Sequence, residues 1–187
     1  MRRLNVLTTN EGKIKEFIEL GKRYGVEVNV IKQYKVEIQS SRLEDIALTA
    51  AILASIQLKD HVVVEDAGLF INSLNGFPGV YSSYVFKTIG IKGILKLLEG
   101  VKDRSAYFKS VIAFADMSKG VVKIFTGVTE GFIAYEPKGT LGFGFDPIFI
   151  PKGYSKTFAE MSIEEKNMVS HRAKAFRKLI EWLETNF

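Results

Sequence analysis

Patterns typical of strands and helices alternate along this chain, and one long hairpin interrupts the alternation. Residues 4–8 form a short apolar run typical of a buried strand, residues 10–24 carry apolar side chains at helical spacing, and Val26–Ile31 alternates as a strand does. Residues 105–115 and 121–134 have the composition of two long strands, and only a short turn separates them. These patterns predict an α/β fold with a mixed central β-sheet flanked by helices.

Capping signals and apolar spacing predict three further helices and one core strand. A β-branched triplet at residues 62–64 indicates the strand, and residues 91–98 are expected to be helical. Two capping boxes predict helix starts, namely Ser41 with Glu44 and Ser162 with Glu165. The first of these helices should extend to residue 58, and the second should be one continuous final helix. Its core-facing stripe is expected to consist of Val169, Ala173, Phe176, Ile180 and Leu183.

Composition excludes several kinds of site. The 187 residues contain no cysteine, which excludes disulfides, thiolate zinc sites and a cysteine nucleophile. With only two histidines, a metal would be held by oxygen ligands, which favours Mg²⁺ with Mn²⁺ as a substitute. The net charge of +5 is scattered, so we expect no nucleic-acid partner. We find no signal peptide and no membrane span, and expect a single cytoplasmic domain over residues 1–187.

The first segment that could bind a ligand joins the first strand to the first helix. Asn10 is a suitable N-cap, and a helix N-terminus presents free N–H groups and a positive dipole to an anion. Lys13 lies about one helical turn further on and can reach the same anion. The candidate phosphate-binding residues are therefore Thr8, Thr9, Asn10, Glu11, Gly12 and Lys13. Taken alone, the segment is more often only a capped helix with a solvated lysine, and it lacks the spacing of a P-loop.

Two acidic residues follow the β-branched triplet. In α/β sheets the carboxyl ends of strands open into the ligand crevice, so Glu65 and Asp66 are expected at such an end. Successive strand residues point to opposite faces, and only one of the pair needs to enter the crevice. A carboxylate there can ligate magnesium or accept a proton from water. The alternative is an acidic strand end that caps the next turn.

Two further segments suit recognition of a base. Gly142-Phe143-Gly144-Phe145-Asp146-Pro147 combines flexible glycines, flat aromatic faces and a carboxylate that could accept hydrogen bonds from a base edge. Lys166, His171 and Arg172 lie near the start of the predicted final helix, outside its core stripe, and could contact phosphate and carbonyl oxygens. The alternatives are an aromatic turn under the sheet and a solvated helix face.

These segments together resemble the inosine triphosphate pyrophosphatase family, which removes non-canonical purine nucleoside triphosphates. The resemblance extends nearly end to end and is carried by residues 8–13, 65–69, 76–82, 143–149 and 157–172. It implies hydrolysis between the α- and β-phosphates of ITP, dITP or XTP, which gives a nucleoside monophosphate and pyrophosphate. It also implies an elongated, two-lobed structure with the active site in the cleft between the lobes, and a homodimer.

The resemblance also implies roles for individual residues. Asp66 would be the catalytic carboxylate and would bind Mg²⁺ together with Glu37, while Lys166 would contact phosphate. Phe143 would stack on the base, and Asp146, His171 and Arg172 would read its edge. The sequence departs from the family in two places: Ala67 stands where many relatives have Ser, and Ser83-Tyr84 stands where relatives carry a nearby basic residue. Both departures affect expected contacts to the substrate.

Two other interpretations stay open at this point. The chain could be a related pyrophosphatase for modified pyrimidine or canonical nucleotides, as in the Maf-like proteins, or a binding module that senses nucleotides or binds RNA. The Phe143 segment and the His171-Arg172 pair favour the purine enzyme, Asp66 argues against a sensor, and the scattered charge argues against RNA.

Overall fold

The computed structural model describes residues 2–186, and these contain seven strands and six helices. The strands are β1 (Arg2–Leu7), β2 (Val26–Ile31), β3 (Val62–Ile71), β4 (Pro78–Gly79), β5 (Ser105–Asp116), β6 (Val121–Ile133) and β7 (Phe149–Pro151). The helices are α1 (Glu11–Tyr24), α2 (Leu43–Leu58), α3 (Ser82–Thr88), α4 (Gly90–Leu97), α5 (Ile163–Val169) and α6 (His171–Asn186). Short 3₁₀ turns lie at Asn72–Leu74, Asp146–Ile148 and Phe158–Glu160.

The strands form one mixed sheet in the order β2-β1-β3-β5-β6-β7, with β4 paired to the far end of β3. β1 pairs in parallel with β2 and with β3, whereas β3–β5, β5–β6 and β6–β7 are antiparallel. The β5–β6 hairpin extends from the register pair Ser105–Phe132 to Asp116–Val121. The mixed sheet and the long hairpin are therefore confirmed.

Helices cover both faces of the sheet, and alternate residues of β3 belong to opposite layers. Val63 packs in a core that includes Phe17 of α1 and Phe176 of α6. Its neighbours on either side pack in a second core against α2. Since side chains alternate along a strand, Glu65 continues the α1/α6 face and Asp66 continues the α2 face.

A third core lies beyond the acidic pair and forms a second lobe. The parts of β3, β5 and β6 on the far side of the acidic pair contribute Leu69, Phe108 and Ile133 to this core. Helix α4 contributes Ile94. The central sheet thus runs through both lobes, with the acidic residues of β3 at their junction. No helix among residues 2–186 is long and apolar enough to cross a membrane.

The start of α2 differs from the prediction. The helix begins at Leu43, its N-cap position is Arg42, and no side chain caps it, so the Ser41–Glu44 capping box is wrong. Ser40 accepts a hydrogen bond from the Arg42 N–H and donates one to Asp45 instead. Burial of apolar residues at the helix start, Leu43 first among them, decides where the helix begins. The short helix α3 was also missed.

The predicted final helix is in fact two helices. The Ser162–Glu165 capping box is confirmed and opens α5, but the backbone of Ser170 is extended, with φ −68° and ψ 152°. The Ser170 hydroxyl then accepts a hydrogen bond from the Ala173 N–H at the start of α6. Val169 consequently leaves the predicted stripe and packs against the second-lobe core, because the break turns α5 away from the axis of α6.

Candidate active site

The loop from β1 into α1 presents an open helix start. The Asn10 side chain accepts a hydrogen bond from the Lys13 N–H at 3.0 Å, which confirms the N-cap, and the Asn10 N–H donates to Thr8 Oγ1 at 3.2 Å. Thr9, Asn10 and Glu11 are exposed. The unpaired N–H groups of the first turn of α1 are therefore accessible to an anion.

The acidic pair lies within β3 rather than at its end. Pairing with β1 stops at Val64, whereas pairing with β5 continues to Ile71, so the expectation of a strand end is wrong for β3 as a whole. The residues nevertheless lie just past the carboxyl end of the parallel part of the sheet, because β1 ends there. This position leaves the α1 loop directly beside Glu65: Lys13 Nζ lies 2.7 Å from Glu65 Oε2 and 3.2 Å from its carbonyl oxygen.

Charged side chains form a buried network around Glu65 on the α1/α6 face. Lys166 Nζ lies 2.6 Å from Glu16 Oε1 and 2.5 Å from Asp146 Oδ2. Arg172 contacts Glu16 through Nη1, and its Nη2 lies 3.1 Å from Glu65 Oε1. With the α1 lysine that contacts Glu65, three cations face three carboxylates. The network is therefore formally neutral, which offsets the cost of burying its charges.

The neighbours of Glu65, Glu16 and Arg172 keep these three buried groups charged. Burial by itself would raise the pKa of Glu65, but Arg172 and Lys13 outweigh that effect and hold it well below its usual value of 4.5. Burial would likewise raise the pKa of Glu16, which Arg172 and Lys166 lower instead. Burial disfavours the Arg172 cation, yet Glu65 and Glu16 raise its pKa. These groups are thus ionised at neutral pH.

His171 is the neutral donor or acceptor of the cluster. It is buried, its ring stacks on Phe108 at a centroid distance of 4.7 Å, and its Nδ1 has no hydrogen-bond partner. Burial first, and the Arg172 charge second, lower its pKa well below 6.5. An unpartnered nitrogen on a neutral imidazole can make one further hydrogen bond, which suits a base edge more than a phosphate.

Phe143 lies between the helix start and the cationic cluster. A Cβ on Gly12 would lie 2.1 Å from the Phe143 ring, so this close approach requires glycine in α1. The ring is 4.9 Å from Lys166 Nζ and 5.4 Å from Arg172 Cζ. Gly142 and Gly144 flank it with positive φ, and the Phe143 N–H donates to Asp146 Oδ2 at 2.8 Å.

The second phenylalanine of this segment does not share that position. Phe145 is buried in the second-lobe core and meets Phe86 edge-on at 5.4 Å. It therefore supports the loop from below and offers no free face to a base, which corrects the prediction that both phenylalanines serve as platforms.

On the opposite face of β3, Asp66 forms a pair with Glu37. Lys35 lies between them, with Nζ 3.2 Å from Glu37 Oε1 and 3.4 Å from Asp66 Oδ1. Burial raises the pKa of Asp66, and the nearby Glu65 and Glu37 add to that effect against the opposing charges of Lys35 and Lys13. Asp66 is thus a stronger proton acceptor than an ordinary aspartate.

The donor set of this pair suits a hard divalent cation. Residues 2–186 contain no group of three or more His, Cys, Asp or Glu side chains placed to hold a metal. Magnesium, however, is commonly bound by one or two carboxylates together with water and substrate phosphates. A lysine ammonium already placed between Glu37 and Asp66 indicates that this position favours a cation. The residues present therefore fit Mg²⁺.

Comparison with known proteins places the chain in a family. The model of the Ham1 family matches residues 4–182. The chain belongs to the Ham1 family. This membership confirms the relationship expected from the motifs. The dITP/XTP pyrophosphatase of Hyperthermus butylicus is 57% identical over 178 residues, which cover 95% of this chain and 93% of that protein. That of Saccharolobus solfataricus is 51% identical over 183 residues, covering 98% and 94%.

Solved Ham1 structures share the fold. The Staphylococcus aureus Ham1 protein superposes with a TM-score of 0.84 at 31% identity, with all of both chains covered. The HAM1 protein of Coxiella burnetii gives a TM-score of 0.84 at 34% identity, covering 99% of this chain and 100% of that one. The α/β architecture of this Ham1 chain is therefore confirmed.

Sequence reasoning missed three residues of this Ham1 site. Glu16 contacts both Lys166 and Arg172, and the Ser110 hydroxyl donates a hydrogen bond to Glu65 Oε1 at 2.7 Å. Lys35 contacts Asp66 together with Glu37. Glu16 carried a usable signal, because it lies four residues before the core residue Leu20 on one face of α1. Ser110 and Lys35 carried none, since their partners are distant in sequence.

Proposed function

We propose that this chain hydrolyses the non-canonical purine nucleoside triphosphates ITP, dITP and XTP to a nucleoside monophosphate and pyrophosphate. Such an activity would remove these nucleotides from the cytoplasmic pool before they enter DNA or RNA. The observation that carries the proposal is the position of Glu65. Its carboxylate contacts both Lys13 at the anion-accepting helix start and Arg172 in the donor cluster, directly beside Asp66. Relatives named dITP/XTP pyrophosphatase support the same reaction.

The phosphate end of the site would be formed by α1 and β3. The free N–H groups at the start of α1 and the Lys13 ammonium would bind the triphosphate. Glu37 and Asp66 would hold Mg²⁺, with Mn²⁺ as a substitute, and the metal would supply neutralisation of phosphate charge and a more acidic water. Asp66 would orient the attacking water and accept its proton. The leaving group is pyrophosphate, whose developing charge Lys13 would stabilise.

The base end would select a 6-oxo purine. Phe143 offers a partly exposed ring for stacking, and Arg172 lies near it. His171, the residue before Arg172, would supply a further donor. A carbonyl oxygen at position 6 would accept from such donors. Adenine has an amino group there, so its entry would leave buried donors unpaired, at a cost of about 1–3 kcal/mol for each.

A direct assay tests the reaction and the specificity together. The purified protein with Mg²⁺ is incubated separately with ITP, XTP, ATP, GTP and CTP, and the products are identified by chromatography. We expect monophosphate and pyrophosphate from ITP and XTP, with ATP nearly untouched because of its 6-amino group. GTP, which shares the 6-oxo group, should be nearly untouched only if the site also excludes the 2-amino group. Equal cleavage of all five would refute base selection by His171, Arg172 and Asp146. No cleavage with either Mg²⁺ or Mn²⁺ would favour a nucleotide-binding module.

We also propose that the chain forms a homodimer. Between residues 77 and 89, several large apolar side chains are exposed, and a second copy could cover them, namely Phe77, Tyr81, Tyr84 and Ile89. Light scattering coupled to size exclusion should give twice the chain mass of 21.0 kDa. A mass equal to one chain across the accessible concentration range would contradict this proposal.

A further inference from the structure

Lys35 is turned inward in a segment whose neighbours point outward. It follows β2 in the stretch between Ile31 and α2, where the backbone forms no helix or strand. Tyr34 is 89% exposed and Val36 is 58% exposed, whereas the Lys35 side chain is only 16% exposed. Removing a lysine ammonium from water costs free energy, so specific partners must hold the Lys35 side chain in its buried position.

Those partners are the two carboxylates assigned above to the metal. Lys35 Nζ lies within 3.4 Å of both Glu37 and Asp66, close enough to pair with each at once. Another lysine on this face of the sheet, Lys109, is engaged elsewhere, with its Nζ 2.5 Å from Glu44 Oε1. Lys35 is therefore the ammonium in direct contact with the pair.

The ammonium and a divalent cation would require the same oxygens. A magnesium ion needs carboxylate oxygens at about 2.0–2.1 Å, and an ammonium bridging both groups blocks that approach through position and like charge. Binding of one therefore excludes binding of the other to the full pair. The apparent metal affinity falls by the fraction of time that the pair is free of the lysine.

We infer that Lys35 is an internal counter-ion that occupies the Glu37–Asp66 pair in the metal-free protein and that a divalent cation has to displace. Lys35 thus tunes metal affinity as a positioning residue of the site, and its single positive charge partly neutralises the two carboxylates when no metal is bound. This inference rests on the proposed metal assignment, and it concerns binding of the metal alone, before any nucleotide is present.

The decisive experiment measures Mn²⁺ binding without nucleotide, by electron paramagnetic resonance of free Mn²⁺, in the full-length protein. In Lys35→Met the side chain stays unbranched, becomes one atom shorter and loses its charge. If the ammonium holds the pair about 90% of the time, the variant should bind Mn²⁺ about tenfold more tightly than the unmodified protein. Lys35→Arg keeps the charge and should stay close to the unmodified protein.

Two controls make the result specific. Lys92→Met removes an exposed lysine of α4 and therefore the same amount of charge as Lys35→Met. It should leave Mn²⁺ affinity unchanged, which would show that the loss of one positive charge is not by itself the cause of tighter binding. Glu37→Gln should weaken Mn²⁺ binding in both backgrounds, because the pair itself is then incomplete. Unchanged or weaker Mn²⁺ binding by Lys35→Met would overturn the inference, as would full Mn²⁺ binding by Glu37→Gln.

Thermal unfolding provides a second readout that does not depend on activity. Without metal, Lys35→Met should melt below the unmodified protein because two carboxylates lose their counter-ion. Added Mg²⁺ should raise its melting temperature more than that of the unmodified protein. An equal or smaller metal-induced rise would contradict displacement. ITP hydrolysis by the unmodified protein reports separately on the proposed function.

Discussion

Asp66→Asn is expected to lower kcat for ITP by about 10³–10⁴-fold while nucleotide binding is largely retained. Asparagine keeps the size of the side chain, but it cannot accept a proton and is a weaker ligand for a divalent cation. The contacts expected to bind the nucleotide involve the start of α1, Phe143 and the donor cluster, and the substitution alters none of them. Steady-state kinetics gives kcat, and calorimetric titration with ITP gives binding in the slow variant.

Asp103→Asn is the matched control for this experiment. Asp103 is exposed, and it accepts a hydrogen bond from the Ser105 N–H that asparagine can also accept. The control should therefore retain kcat. If Asp66→Asn retains the kcat of the unmodified protein, then Asp66 is not the proton-accepting carboxylate, and another group must activate the water.

Glu65→Gln is expected to destabilise the fold by about 3–5 kcal/mol at pH 7, because it breaks a buried charge network by removing one partner. Glutamine can still accept from Ser110, but Arg172 and Lys13 then share a buried excess of positive charge. Urea denaturation measures the free energy of unfolding. The control Glu181→Gln breaks an exposed pair with Arg177 and should cost less than about 1 kcal/mol.

The destabilisation caused by Glu65→Gln should also depend on pH. The pKa of Glu65 is depressed in the folded state, so its contribution is fully present above the usual value of 4.5 and is lost as the pH falls towards the folded-state pKa. Glutamine does not titrate. The difference in unfolding free energy between the two proteins should therefore shrink as the pH falls below 4.5. A difference that stays constant down to acid pH would show that Glu65 is not held as a buried anion.

Local patterns were sufficient for most of the elements. The N-cap at Asn10 and the capping box at Ser162 involve residues within one helical turn, and the hairpin joins strands that are adjacent in sequence, so neighbouring residues carry the signal. The errors arose where packing between distant segments decides the structure. The start of α2 follows burial of Leu43, and the break at Ser170 separates helices that serve different cores.

The candidate site divides in the same way. The motifs identified Asp66, Lys13 and the Lys166–Arg172 cluster as candidate binding or catalytic residues. The alternation of side chains along β3 already implied that Glu65 and Asp66 face opposite sides of the sheet. They could not identify the ionic partners. Glu16 lies 150 residues from Lys166 in the chain, and the two meet only because α1 and α5 pack together.

The sequence by itself therefore determined most of the strands and helices, the family, and the residue types available for phosphate, metal and base. Tertiary structure alone decided which charges neutralise one another. Glu65 is bound to the cations of α1 and α6 on one face, and Asp66 shares Lys35 with Glu37 on the other. The physical reason is that local conformation depends on neighbours in the chain, whereas the state of a buried charge depends on neighbours in space, and the fold brings those from distant segments.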